Sequence, residues 1–181
     1  MEITKAISLI KDGGVGVAPT DTIYGLVGSA LSKKAVLRIF KIKKRNPKKP
    51  LIILISDIKQ LNKFEIKLDS EFKKTLADFW PGKTTVILPS SSKKFLYLSR
   101  GTKSLAFRLP KNKRVLKMLA KTGPLVAPSA NPEGMKPARN INEARKYFGN
   151  EVDFYLGGGT MRGSPSRIIS IEKGKISVIR K

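Results

Sequence analysis

The residues best equipped for chemistry lie in one segment, Lys41 to Lys49, where six of nine side chains are Lys or Arg. An apolar run, Leu51 to Ile55, follows at once. This reads as a buried strand that begins where dense cationic charge ends, with the cations at the rim of a sheet. Such a run is either a solvated basic loop or an anion site. Three other short strands end in polar turns: Ala18 before Pro-Thr-Asp-Thr, Ala127 before Pro-Ser-Ala-Asn, and Leu156 before Gly-Gly-Gly-Thr. Loops beyond strand ends are where open α/β sheets bind ligands. Hydroxyls, amides and backbone N–H groups there can hold carboxylates, phosphates and adenine edges without any titratable group. The same residue types also serve ordinary turns. Arg108 stands inside an alternating strand, with Ser104 and Ala106 on its face. A buried guanidinium needs a partner. A substrate carboxylate suits it bidentately, and so does an acid of the chain such as Asp21.

What is missing narrows the chemistry further. The 181 residues include no His and no Cys. Ser-His-Asp and Cys-His catalysis are excluded, disulfides are excluded, and the usual zinc ligands are absent. The glycine loop Gly157 to Gly163 has neither the P-loop nor the dinucleotide-binding spacing. It is a surface loop, or a lid that brings Arg162 to a phosphate. Lys and Arg number 37 against 13 acids, a formal charge of +24. That excess attracts polyanions such as RNA, although drift toward Lys gives the same number. The first residues do not form a signal peptide and no run approaches a membrane span, so a cytoplasmic protein without membrane contact is expected.

These groups must be positioned by the elements between them. Ile3, Ala6, Ile7 and Ile10 recur at helical spacing before Gly13-Gly14. Val15 to Ala18 is a strand, and Ser32 caps a helix that ends near Arg45 because Pro47 disfavours helix at Asn46. Asp57 and Asp69 open helical stretches, the second reaching Trp80. Strands are expected at Thr84 to Leu88, Ser104 to Leu109, Leu125 to Ala127, Phe154 to Leu156, Ile168 to Ile171 and Ile176 to Ile179. Helices fill Asn112 to Gly123 and Asn142 to Phe148, and Ser90 to Lys94 is a mobile polar loop. With 40% hydrophobic residues the chain can build a real core. Interleaved strands and helices argue a single α/β (α+β) domain with a twisted mixed sheet.

Five motifs then stand in order: PTDTIYGL at 19–26, K-x-R with Pro-Leu (Lys43, Arg45, Pro50, Leu51), FWPG at 79–82, FRLP at 107–110 and APSAN at 127–131. In this the chain resembles the YrdC/Sua5 family of L-threonylcarbamoyladenylate synthases, from about Gly13 to Ile171. The resemblance implies one YrdC-like domain over residues 1–181, with helices flanking the sheet and a basic concave cleft. It implies the short family form, without a C-terminal extension. The implied reaction makes threonylcarbamoyl-AMP and pyrophosphate from L-threonine, bicarbonate and ATP, with Mg2+ on the ATP. A partner transferase complex would then deliver the group to adenosine 37 of tRNA.

Carried over motif by motif, Lys43 and Arg45 would hold ATP phosphates, and Ser129 and Asn131 would bind threonine and nucleotide. These four would form the catalytic set. Thr20 and Thr22 would line the threonine pocket, Arg108 would take its carboxylate, Ser104 would touch the nucleotide, and Ser166 would be a further threonine contact. No metal ligand of the protein is implied. The chain departs from the family at Ser166-Arg167, where a Ser-Thr pair is common, and at Lys49-Pro50-Leu51, where His-Pro-Leu is common. A late R-x-G arginine maps to Glu172, with Lys173 or Arg167 as substitutes. The alternative from charge alone is a non-catalytic module for tRNA or double-stranded RNA. Carbamoyl-transfer enzymes sharing the domain are a weaker third reading.

Overall fold

The computed structural model describes residues 1–172 and 175–181, with only the backbone of Glu172. Helix α1 spans Ile3–Lys11, strand β1 Gly16–Pro19, β2 Tyr24–Ser29, α2 Lys33–Ile42 and β3 Ile52–Leu54. A 3-10 turn covers Ile58–Phe64, then come α3 at Ser70–Ala77 and β4 at Thr84–Pro89. The short helix α4 is Leu96–Ser99, β5 Ser104–Arg108, α5 Lys113–Thr122 and β6 Leu125–Val126. The chain closes with α6 at Ile141–Phe148, β7 at Phe154–Tyr155, β8 at Arg167–Glu172 and β9 at Lys175–Arg180.

The nine strands of the described residues join one mixed sheet in the order β7-β1-β2-β6-β3-β5-β4-β8-β9. Helices cover both of its faces. Ala6, Ile7 and Ile10 of α1 and Val115, Met118 and Leu119 of α5 pack on Val27, Leu54 and Leu125. On the other face Ala35, Val36 and Ile39 of α2 join Leu26, Ile53, Phe107 and Val126. Neighbours such as Ile53 and Leu54 therefore bury on opposite faces, which is why the run after the cations carries no polar alternation.

The capping residues do the work that their types suggest. Ser32 accepts from the Ala35 N–H, Asp69 from Phe72, Asn112 from Arg114 and Val115, and Asn140 from Glu143. Four details differ from expectation. The stretch opened by Asp57 is a 3-10 turn, and α3 stops at Ala77 before Pro81. The segment Tyr24–Ser29 forms a full strand against β1. Past the serines, Lys93–Phe95 and α4 form helical turns seated by Phe95 and Leu98, both 1% exposed. Two buried apolar residues that close together outweigh a polar loop reading.

Candidate active site

A cavity of about 90 Å³ opens between the turn after β1, the start of β2, the turn after β6 and the lead into β8. Thr20, Thr22, Arg45, Arg108, Ser129, Ser166 and Arg180 line it, together with Tyr24, Gly25 and Pro128. Register explains the gathering on one side. Val86 of β4 faces Phe107, Thr85 faces Ile168, and Ile168 faces Arg180. This row carries Arg108, Thr85 and Arg180 across neighbouring strands. The Thr85 and Ser166 hydroxyls meet at 2.8 Å, and Arg180 donates to the Ser166 carbonyl at 2.6 Å and to its hydroxyl at 3.2 Å.

The turn after β1 is held from within. The Thr20 hydroxyl donates to the Ile23 carbonyl at 2.7 Å and stands 3.2 Å from the Thr22 hydroxyl. Arg108 donates to Asp21 at 2.9 Å and contacts the Thr22 hydroxyl at 3.4 Å. The Arg108 and Asp21 side chains are 4% and 5% exposed. Arg108 Nε and Asp21 Oδ2 are buried with no hydrogen-bond partner among the described residues. Burial lowers the Arg108 pKa, and the neighbouring Asp21 opposes that shift.

Arg45 also lines the cavity. Its Nε donates to the Lys49 carbonyl and its Nη2 to the Pro50 carbonyl, each at 2.9 Å. Two backbone acceptors thus fix the guanidinium plane where it lines the cavity. Burial pulls its pKa down; Glu133 pushes it up and Arg180 down again.

Lys43 occupies a different place. It is 2% exposed and does not line the cavity. Its Nζ donates to the carbonyls of Ser129 at 2.7 Å and Asn131 at 2.8 Å. It also reaches Ser129 Oγ and Asn131 Oδ1, each at 3.2 Å. The ammonium thus stands behind the wall and fastens the turn that presents Ser129. Burial, reinforced by Arg45, brings its pKa from 10.5 to about 8, against the pull of Glu133. Asn131 is likewise engaged, giving Nδ2 to the Pro132 and Met135 carbonyls.

Of the residues carried over from the motifs, Thr20, Thr22, Arg45, Arg108, Ser129 and Ser166 converge on the cavity. Lys43 and Asn131 support its wall. Ser104 lies apart at the far end of β5, roughly 13 Å along the strand from Arg108, with its hydroxyl donated to Thr102. Arg180 is the lining residue that sequence reasoning passed over. Its place among the alternating residues of β9 was the available signal, since an Arg opposite Ile168 falls at the same edge as Ser166. The Glu172 side chain, Lys173 and Gly174 lie outside the described residues. Arg167 pairs in register with Thr84 and is exposed, outside the cavity lining.

The glycine loop packs against Tyr24 and the turn after β1. Tyr24 Oη accepts from the Gly158 N–H and donates to the Gly159 carbonyl, both at 2.8 Å. Gly163 crosses the turn after β1 so closely that a Cβ would stand 2.1 Å from the Thr22 carbonyl oxygen. Only glycine permits that approach.

Comparison with known proteins decides the family. The Sua5/YciO/YrdC domain model, described under telomere recombination, matches residues 8–181. The chain belongs to the Sua5/YciO/YrdC family. The threonylcarbamoyl-AMP synthase of Halorhodospira halophila is 32% identical over 91% of this chain and 88% of its own. That of Cellvibrio japonicus is 30% identical over 96% and 93%. The structure of Pyrococcus abyssi Sua5 complexed with L-threonine superposes with a TM-score of 0.89 at 31% identity, covering 98% of this chain. The present chain spans about half of that longer protein, 53% of its length. Escherichia coli YciO shares the fold, with a TM-score of 0.86 at 24% identity.

Proposed function

We propose that the protein is an L-threonylcarbamoyladenylate synthase, joining L-threonine, bicarbonate and ATP into threonylcarbamoyl-AMP and pyrophosphate. One observation carries the reading: Arg45, Arg108 and Arg180 converge with four hydroxyl-bearing side chains, of Thr20, Thr22, Ser129 and Ser166, on a cavity that no carboxylate among the described residues lines. Such a set suits two anionic substrates, an amino-acid carboxylate and a polyphosphate. The curated relatives named as this synthase support the same activity.

The chemistry needs no protein nucleophile. The threonine amine adds to bicarbonate and water departs, leaving a carbamate. A carbamate oxygen then attacks the α-phosphorus of ATP, and the bond to the β-phosphate oxygen breaks to release pyrophosphate. Phosphoryl and nucleotidyl transfer of this kind gains from positioning and from charge placed where charge develops. In our assignment Arg108, beside Thr22, receives the threonine carboxylate, and Thr20, Ser129 and Ser166 surround the amino acid. Arg45 and Arg180 face the phosphates. Lys43 and Asn131 keep the Ser129 turn in place.

Mg2+ enters as part of the substrate, on the phosphate oxygens of ATP. Among the described residues no three His, Cys, Asp or Glu side chains gather into a metal site. The formal charge of +24 favours contact with tRNA or double-stranded RNA, which fits a product destined for a tRNA-bound transferase complex in the cytoplasm. No helix of the described residues is long and apolar enough to cross a membrane.

The direct test is pyrophosphate release with each substrate omitted in turn, with the product identified by mass. Release should require threonine and bicarbonate together. Release that persists without threonine overturns the reading. If neither ATP nor threonine shifts the melting temperature while RNA is bound, the non-catalytic RNA module is favoured.

A further inference from the structure

Glu133 is an acid beside the strongest cationic segment of the chain, and nothing in the proposed chemistry uses it. It follows the Ser129 turn by four residues, in the sequence Asn131-Pro132-Glu133. Its backbone N–H donates to the Lys43 carbonyl at 2.8 Å. Its carboxylate reaches across to the segment after α2, where Oε2 accepts from the Asn46 N–H at 2.5 Å and Oε1 from Lys49 Nζ at 2.6 Å. Lys49 and Asn46 are themselves closed into a turn by the Lys49 N–H to Asn46 carbonyl bond at 3.0 Å. The carbonyls of Lys49 and Pro50 are the ones that hold the Arg45 guanidinium. The chain of contacts therefore runs from Glu133, through the 46–49 turn, to Arg45 on the cavity wall.

We infer that Glu133 is a positioning residue for nucleotide binding: its carboxylate staples the 46–49 turn and thereby sets the plane of Arg45. The inference rests on the assignment of Arg45 to ATP phosphates made above. Two physical points support it. A turn carrying Lys44, Arg45, Lys48 and Lys49 repels itself, and Glu133 is the anion held within it by two charge-assisted hydrogen bonds. Hydrogen bonds from Lys49 and Asn46, together with the nearby Arg45 charge, hold its carboxyl below the ordinary range, so it stays ionised at neutral pH. The side chain sits outside the cavity lining, so its effect on substrate passes through Arg45.

Steady-state kinetics on Glu133→Ala, Glu133→Gln, Lys49→Met and the Glu133→Gln/Lys49→Met double variant test it. Wild-type enzyme is assayed first, and absence of threonine-dependent pyrophosphate release there sinks the function, independently of this inference. With an active wild type, Glu133→Ala should raise the KM for ATP roughly tenfold and leave the KM for threonine within about twofold. Glu133→Gln keeps an acceptor for the Asn46 N–H and loses only the ion pair. It should recover most of the ATP affinity, to within roughly threefold of wild type. Lys49→Met should match it, and the double variant should be no worse than either single change. Equal rises in both KM values, or a lowered melting temperature with an unchanged KM for ATP, overturn the proposal. So does a double variant whose losses multiply, which would make Lys49 a phosphate ligand in its own right.

Discussion

The Lys43 ammonium lies 2.7 Å from the Ser129 carbonyl oxygen, so the first cation of the K-x-R segment binds the Ser-x-Asn turn from behind. The pair joins the end of α2 to the turn after β6, two segments separated by 86 residues. Lys43→Ala should leave the Ser129 and Asn131 acceptors unpaired in a buried place. We expect about 2 kcal/mol of destabilisation, a fall of roughly 5 °C in melting temperature, together with loss of pyrophosphate release. Lys43→Arg keeps a cation but not the compact fit, and should retain more stability than activity. Thermal melts beside the release assay separate the two effects.

The same lysine sets a pH limit. With its pKa at about 8 in the fold, the ammonium loses a proton as pH rises through that value. One donor to the Ser129 turn then disappears, and kcat/KM for threonine should fall above pH 8. In Lys43→Arg the descending limb should move to higher pH. Stability runs the other way. Below pH 8 both folded and unfolded states carry the proton. Between about 8 and 10.5 the unfolded chain binds more protons, so this group's contribution to stability rises with pH. Activity that falls while the melting temperature holds identifies titration at the site rather than unfolding.

Asp21 and Arg108 form a pair with 5% and 4% exposure. Asp21→Ala leaves a buried guanidinium without its charge partner, and about 3 to 5 kcal/mol of stability should be lost. Replacing both, as Asp21→Leu with Arg108→Met, should restore much of that stability because no buried charge remains. It should not restore threonine-dependent turnover. Denaturant unfolding and the release assay on the same samples check both statements.

Arg180 tests the proposed nucleotide side of the cavity. Arg180→Ala should weaken the ATP-induced rise in melting temperature and raise the KM for ATP, with a smaller effect on threonine. Loss confined to the threonine KM would place Arg180 on the amino acid instead.

Gly163→Ala probes the loop over the threonines. A Cβ there would overlap the Thr22 carbonyl oxygen, a backbone atom that cannot step aside without moving the turn. The kcat/KM for threonine should drop at least tenfold, an order-of-magnitude expectation for a displaced binding turn. Gly157→Ala meets nothing within 4 Å and should leave turnover near wild type.

Much of this was legible in the sequence because the signals are local. Caps at Ser32, Asp69 and Asn112 act within three residues of themselves, and the apolar run at 51–55 needs only its own composition to read as buried. The absence of His and Cys excluded whole classes of catalysis by inventory alone. Thr20, Thr22, Arg45, Arg108, Ser129 and Ser166 were named because the chain resembles a known family, and they line one cavity. Which way each side chain points was not local information. Lys43 and Arg45 lie two residues apart at the end of α2, yet one supports the wall from behind and the other lines it. That choice depends on the Ser129 and Asn131 carbonyls arriving from β6 and on the Lys49 and Pro50 carbonyls folding back. Arg180 reaches the cavity only because β9 pairs antiparallel with β8, and Ser104 misses it only because β5 carries it to the far end. The sequence by itself determined the elements, the family and the list of chemical groups. Tertiary structure decided which of those groups share a cavity, because strand register across distant segments fixes it.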